Sequence, residues 1–81
     1  MKKIDNATEM LFIHIAEVYP DEFILTKIVE MNLETGKKVG IAIYTAPSWD
    51  ELLDYAIQEG ITQSTRILTG VNRVPMIGGL I

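Results

Sequence analysis

The stretch that decides the fold is residues 23–45, FILTKIVEM (23–31), NLETGK (32–37) and KVGIAIYT (38–45). The outer two segments are rich in β-branched residues, which favour extended backbone. Between them, Gly36 supplies the positive φ angle that a tight hairpin turn requires. Two antiparallel strands are therefore predicted. The first is apolar on both faces, so it should lie in the middle of a sheet.

After the hairpin, the sequence predicts an amphipathic helix over residues 48–59. Ser48 and Glu51 have the spacing of a capping box, in which each side chain bonds to a backbone N–H at the other position. An apolar stripe follows at the helical period: Trp49, Leu52, Leu53, Ala56 and Ile57. Gly60 is expected to end the helix in the left-handed conformation, with Ile61 folding back against it.

Ahead of the hairpin, residues 6–18 predict another helix. Asn6 and Glu9 have the spacing of a second capping box. At the other end, Pro20 disfavours helical backbone at the residue before it. Residues 10–15 are also apolar enough to form a strand, which is the alternative interpretation.

Three apolar side chains of this first helix fall outside its main stripe: Phe12, Ile13 and Ile15. A helix that is apolar on most sides is either buried on two faces or packed against another subunit. These three residues are therefore candidate interface residues.

A third strand is predicted over residues 65–71, which completes the element order α-β-β-α-β. Because the second helix reverses the chain, this strand should lie beside the first strand and run antiparallel to it. The prediction is a single α+β domain over residues 1–81. Its three-stranded, mostly antiparallel sheet has the order 2-1-3, with both helices on one face. The other face would be apolar and uncovered.

Composition and charge narrow the classes of function. Eighty-one residues form one small domain, and 48% hydrophobic residues is high for a domain with so much surface. The excess predicts association with a second copy or another protein. The net charge is −4 and the seven basic residues are scattered, which argues against nucleic-acid binding. No apolar run is long enough to span a membrane and no secretory signal is recognised, so a cytoplasmic location is expected.

Residues 72–81 (NRVPMIGGLI) are predicted to be an apolar tail. Two interpretations stay open. The tail folds back as an edge strand or over the sheet, or it docks on a neighbouring subunit as a strand adds to a sheet edge. Its candidate interface residues are Val74, Met76, Ile77, Leu80 and Ile81.

Groups that could carry catalysis are scarce. The chain has no cysteine, and its one histidine, His14, lies on the stripe of the first helix, where a structural role is usual. Asp50 and Glu51 suit the first turn of a helix without any metal. No catalytic, metal or cofactor site is therefore predicted. Tyr44 and Trp49 are the candidate lining of a ligand pocket.

Four segments carry a resemblance to known proteins: YPDEF (19–23), GKKV (36–39), SWDEL (48–52) and GI (60–61). From its Tyr-Pro pair onward, the chain resembles a group of short, uncharacterised prokaryotic domains. The resemblance implies a hairpin, an acidic capped helix and a last strand, and no activity. The hairpin and helix are also similar to HicB-type antitoxins, which usually present three strands before the helix and bind a small toxin.

The sequence thus favours a non-enzymatic protein-interaction module, homodimeric or bound to another protein. One alternative is a small-molecule-binding regulatory domain. The other is an antitoxin-like partner whose acidic helix faces a basic protein.

Overall fold

The computed structural model describes residues 1–73, which form an α+β fold around one antiparallel sheet. The strands are β1 (Lys2–Lys3), β2 (Glu9–Leu11), β3 (Phe23–Met31), β4 (Lys38–Ala46) and β5 (Thr65–Thr69). The helices are α1 (Phe12–Val18) and α2 (Trp49–Glu59), and a 3-10 turn follows at Val71–Arg73.

The predicted hairpin is confirmed. β3 has the predicted bounds and β4 is one residue longer than expected. In the turn, the side chain of Asn32 accepts hydrogen bonds from the backbone N–H groups of Glu34 (2.9 Å) and Thr35 (3.1 Å). Gly36 has a φ of 76°, as a turn closed by glycine requires. β3 lies between β4 and β5, so its apolar residues on both faces fit an interior strand.

Over residues 1–73 the sheet has five strands, so the predicted three-stranded sheet is wrong in its strand number. The order is β1-β4-β3-β5, and β2 also pairs with β4. The three predicted strands form the β4-β3-β5 part of this sheet. The N-terminal segment contributes the other two strands, β1 and β2, which pair with the outer side of β4.

The predicted first helix is only partly correct. Residues 9–11 form the strand β2, and α1 begins at Phe12. Asn6 has a φ of 58°, so it occupies a left-handed turn and is not a helix N-cap. The apolar run that begins at residue 10 is compatible with the periodicity of a helix and with that of a strand. Its first residues form a strand because they pair with the backbone of β4. The predicted end is confirmed, because α1 stops at Val18.

The two helices pack on opposite faces of the sheet, which corrects the prediction that both lie on one face. Ile24 and Leu25 are neighbours on β3 and therefore point to opposite faces. Both are fully buried. Ile24 packs in a cluster with Ile15 of α1, whereas Leu25 packs with Leu52 of α2. In the described part of the chain, a helix therefore packs on each face of the sheet, and the predicted uncovered apolar face is not found there.

Helix α2 follows the prediction at its C-terminus and departs from it at its N-terminus. Gly60 has a φ of 67°, and the N–H of Ile61 donates to the carbonyl of Ala56 at 2.9 Å. At the other end, the side chain of Ser48 makes no capping hydrogen bond, so the predicted capping box is absent there. Of the apolar stripe, Leu52 and Ala56 are buried, while Trp49 and Ile57 stay exposed.

Within residues 1–73, no helix is both long and apolar enough to cross a membrane.

Candidate interaction surface

The two edges of the sheet are built differently. On one side, β1 and β2 occupy the outer side of β4, and the N–H of Ile4 donates to the carbonyl of Ile43 between them at 3.0 Å. Strands of two and three residues make that edge a poor template for further pairing. On the other side, the five-residue strand β5 pairs with β3 and with no other strand of the described chain.

Backbone hydrogen bonds at the two ends of β5 establish which of its residues face outward. The N–H of Ile28 donates to the carbonyl of Ser64 at 2.9 Å, and the N–H of Gly70 donates to the carbonyl of Glu22 at 2.8 Å. In an antiparallel ladder, such hydrogen-bonded pairs alternate with pairs whose N–H and C=O groups point away from each other.

The register between these two bonds places Arg66 and Leu68 on the hydrogen-bonded, inward positions. The residues between and beside them therefore direct their N–H and C=O groups away from β3: Thr65, Ile67 and Thr69. We call these outward backbone groups the β5 edge. They form a row of donors and acceptors along the side of the sheet.

An apolar groove lies beside α1 and extends along the sheet to β5; we call it the α1 groove. It has a volume of about 620 Å³. Its lining comes from α1, the preceding residue, the hairpin and β5: Leu11, Phe12, Ile13, Ala16, Gly36, Lys37, Lys38, Leu68 and Thr69. Ile13 is 64% exposed here, which is high for an isoleucine next to a core.

A second apolar groove, the α2 groove, lies on the opposite face between α2 and β5. It has a volume of about 270 Å³. Its lining comes from α2, the following loop and the sheet: Leu25, Trp49, Leu53, Ala56, Thr62, Thr65, Arg66 and Ile67. Trp49 is 45% exposed at this site.

Both grooves therefore meet at β5, one on each face of the sheet. Successive side chains of a β-strand point to opposite faces. A strand paired with the β5 edge would place alternate side chains toward the α1 groove and toward the α2 groove. This combination of directed backbone groups and flanking apolar pockets is the arrangement by which proteins bind an added strand.

The chain after β5 is held at a defined place. The N–H of Asn72 donates to the carbonyl of Pro20 at 2.8 Å, and its side-chain amide donates to the carboxylate of Asp21 at 3.0 Å. The Nε of Arg73 donates to the backbone carbonyl of Asp21, and its guanidinium lies 5.3 Å from the ring centre of Phe23. Residues 72 and 73 are thus anchored on the turn that precedes β3.

The predicted interface residues of α1 have three different positions. Ile15 is fully buried against Ile24 and Ala42 within a single copy, so its side chain does not reach the surface of the monomer. Its neighbours in the sheet account for its apolar character. Phe12 is half-buried in the same cluster and also lines the α1 groove. Ile13 is the exposed one of the three. The remaining predicted interface residues lie outside the described residues: Val74, Met76, Ile77, Leu80 and Ile81.

The two predicted pocket residues, Tyr44 and Trp49, have different surroundings. Trp49 lines the α2 groove, whereas Tyr44 packs against Tyr55 with ring centres 4.8 Å apart. The two tyrosine hydroxyls lie 3.5 Å apart. This hydrogen bond, together with burial and the nearby charge of Glu59, raises the pKa of Tyr55 to about 12. No sequence signal connects these tyrosines, because they meet only through packing of α2 on β4.

In the described part of the chain, no group of three or more histidine, cysteine, aspartate or glutamate residues could hold a metal ion. The single histidine, His14, is exposed on α1. Comparison with known proteins finds no matching family model, no matching curated protein and no matching solved structure.

Proposed function

We propose that this chain is a non-catalytic protein-interaction module that forms a homodimer through the β5 edge. The observation that carries this proposal is the row of outward backbone groups at Thr65, Ile67 and Thr69, flanked on both faces by apolar grooves. Backbone pairing supplies the hydrogen bonds in such an interface, and the grooves supply apolar burial and specificity.

The exposed apolar side chains beside β5 support the same conclusion. Ile13 and Trp49 lie on opposite faces of the sheet, and each lines a groove that reaches this strand. Burying both at one contact would remove apolar surface from water on two sides of the added strand. The high hydrophobic content of an 81-residue chain is also accounted for by such an interface.

The test is the solution mass, measured by light scattering over a wide range of protein concentration. Thr69→Pro removes one outward N–H while leaving the β3–β5 ladder intact, because the N–H of Thr69 takes no part in that ladder. Thr69→Ala is the matched control, because it shortens the same side chain and keeps the N–H.

The proposal predicts that light scattering gives the mass of a dimer for the full chain and Thr69→Ala, and the mass of a monomer for Thr69→Pro. Circular dichroism should show that Thr69→Pro is folded. A full chain that stays monomeric at every concentration would overturn it. So would a Thr69→Pro variant that is folded and dimerises as tightly as the alanine control.

A second function is favoured by the size and charge of the α1 groove. A volume of about 620 Å³ lies within the range of small-molecule sites. Lys37 and Lys38 line its hairpin end, so it suits a ligand with an apolar body and an anionic group. Decanoate should then raise the melting temperature by mass action, and Ile13→Glu should abolish the increase. Absence of any shift with decanoate would count against this function.

A further inference from the structure

We propose that the strand bound at the β5 edge in the homodimer is residues 74–78 of the second copy. This inference rests on the proposed function and identifies the segment that each copy contributes. It commits to a segment of this chain as the occupant, and three features of the sequence and structure support that choice.

The first feature is apolar character on both strand faces. Residues 74–78 read VPMIG, and none of residues 74–81 has a charged side chain. Most edge strands alternate between apolar and polar residues because only one of their faces is buried. A strand that lies between the α1 groove and the α2 groove meets apolar surface on both faces, so it requires apolar residues at successive positions.

The second feature is the position of Pro75, which determines the orientation of the segment. Proline has no backbone N–H, so in an outer strand it must occupy a position that faces away from its neighbour. Because the orientation alternates along a strand, the residues one or three positions from Pro75 then direct their N–H and C=O groups toward β5: Val74, Met76 and Gly78. That is three residues, as many as the β5 edge presents at Thr65, Ile67 and Thr69.

In this orientation, side chains fill both grooves. In a strand paired in this way, Val74 and Met76 would point to one face of the sheet, and Pro75 and Ile77 would point to the other. Five residues of strand span roughly 17 Å, which matches the five residues of β5.

The third feature is the anchoring of the chain at Asn72 and Arg73, which favours the second copy as the source. The N–H of Asn72 points toward Pro20, so at this residue the chain still runs beside the segment that leads into β3. For residue 74 to pair with β5 of the same copy, the chain would have to turn back to the outer side of β5 directly after this anchor. Exchange between two copies avoids that reversal and gives a closed, two-fold dimer.

The experiment compares two proline substitutions in the full chain. Met76→Pro removes an N–H that faces β5, whereas Ile77→Pro, the matched control, removes an N–H that faces away. Because each dimer contains the contact twice, Met76→Pro should raise the dimer Kd at least about 30-fold. Ile77→Pro should raise it less than about fivefold, since it loses apolar contact without losing a backbone hydrogen bond.

Trp49 provides an independent measurement, because it is the only tryptophan and lines the α2 groove. Its fluorescence emission should shift to shorter wavelength as the full chain dimerises and the groove is covered. The Met76→Pro variant should show no such shift at the same concentrations.

The outcomes distinguish this inference from the proposed function. If Thr69→Pro is monomeric while Met76→Pro still dimerises like the parent, the β5 edge pairs with another strand; the inference is then wrong and the proposed function stands. If Ile77→Pro weakens the dimer as much as Met76→Pro, the orientation set by Pro75 is wrong and the inference fails. If the full chain is monomeric at all concentrations, the proposed function fails, and the exchange between copies fails with it.

Discussion

Replacing Ile15 and Ile13 separately by alanine tests the packing of α1 on the sheet. The two residues have the same type and lie two positions apart on one helix. Ile15 is fully buried against Ile24, whereas Ile13 is 64% exposed. The structure therefore predicts that the same chemical change lowers the free energy of unfolding strongly at Ile15 and hardly at all at Ile13.

The expected magnitude follows from burial. Ile15→Ala removes a fully buried side chain and leaves a cavity, which costs about 2–5 kcal/mol. A domain of this length has a total stability of about 4–12 kcal/mol, so the loss is a large fraction of the whole. Ile13→Ala removes mostly solvated surface and should change stability by less than about 0.5 kcal/mol, with a small gain in helix propensity.

The assay is urea unfolding at a protein concentration low enough for the chain to be monomeric. With a denaturant dependence of about 1 kcal/mol per molar, a loss of ~3 kcal/mol lowers the midpoint by roughly 3 M. Ile13→Ala should leave the midpoint almost unchanged. Equal effects of the two substitutions, or a larger effect at Ile13, would refute the packing of α1 described above.

Three further predictions concern other parts of the molecule. Gly40→Ala should lower the free energy of unfolding by about 1–3 kcal/mol, because the new Cβ would lie 2.6 Å from the carbonyl oxygen of Lys27; an unchanged melting temperature would contradict this. Tyr44→Phe should bring the pKa of Tyr55 down from about 12 toward 10, measured by near-ultraviolet absorbance, because it removes the main hydrogen bond that holds Tyr55 neutral. In the parent chain, the stability from that raised pKa is present below pH 10 and is lost as the pH rises to about 12, and a pH profile of unfolding that is the same in the variant would refute the coupling. Trp49→Ala should lower monomer stability by about 1–3 kcal/mol, because Trp49 is only 45% exposed, and should also weaken the dimer. A folded variant with an unaltered dimer Kd would show that the α2 groove lies outside the interface.

The elements that the sequence predicts well are those with local signals. β3, its turn and β4 follow from β-branched runs on either side of Gly36, and the end of α2 follows from Gly60. In each case, the information lies within a few residues of the structure it specifies.

The elements that the sequence does not predict depend on contacts between distant segments. Residues 9–11 become β2 because they pair with residues 39–41 of β4, about thirty positions away. Likewise, the apolar stripe of a helix shows that it is buried without showing which face of a sheet covers it. Helix α1 contacts β2, β4 and β5, and these contacts with distant strands place it on the face of the sheet opposite α2.

The candidate interaction surface divides in the same way. High apolar content and the apolar tail are visible in the sequence, and they indicate association. The outward positions of Ile67 and Thr69 require the register of β5 on β3, which no local pattern encodes. The sequence alone also assigns Ile15 and Ile13 to one surface, although their side chains have opposite environments in the fold.

The most direct test of the central claim is amide hydrogen exchange at β5, followed by nuclear magnetic resonance at several protein concentrations. The inward N–H groups of Arg66 and Leu68 should be protected at every concentration, because they bond to β3 in the monomer. The outward N–H groups of Ile67 and Thr69 should be protected at high concentration and lose that protection on dilution. Fast exchange of Ile67 and Thr69 at all concentrations would contradict an interface at the β5 edge.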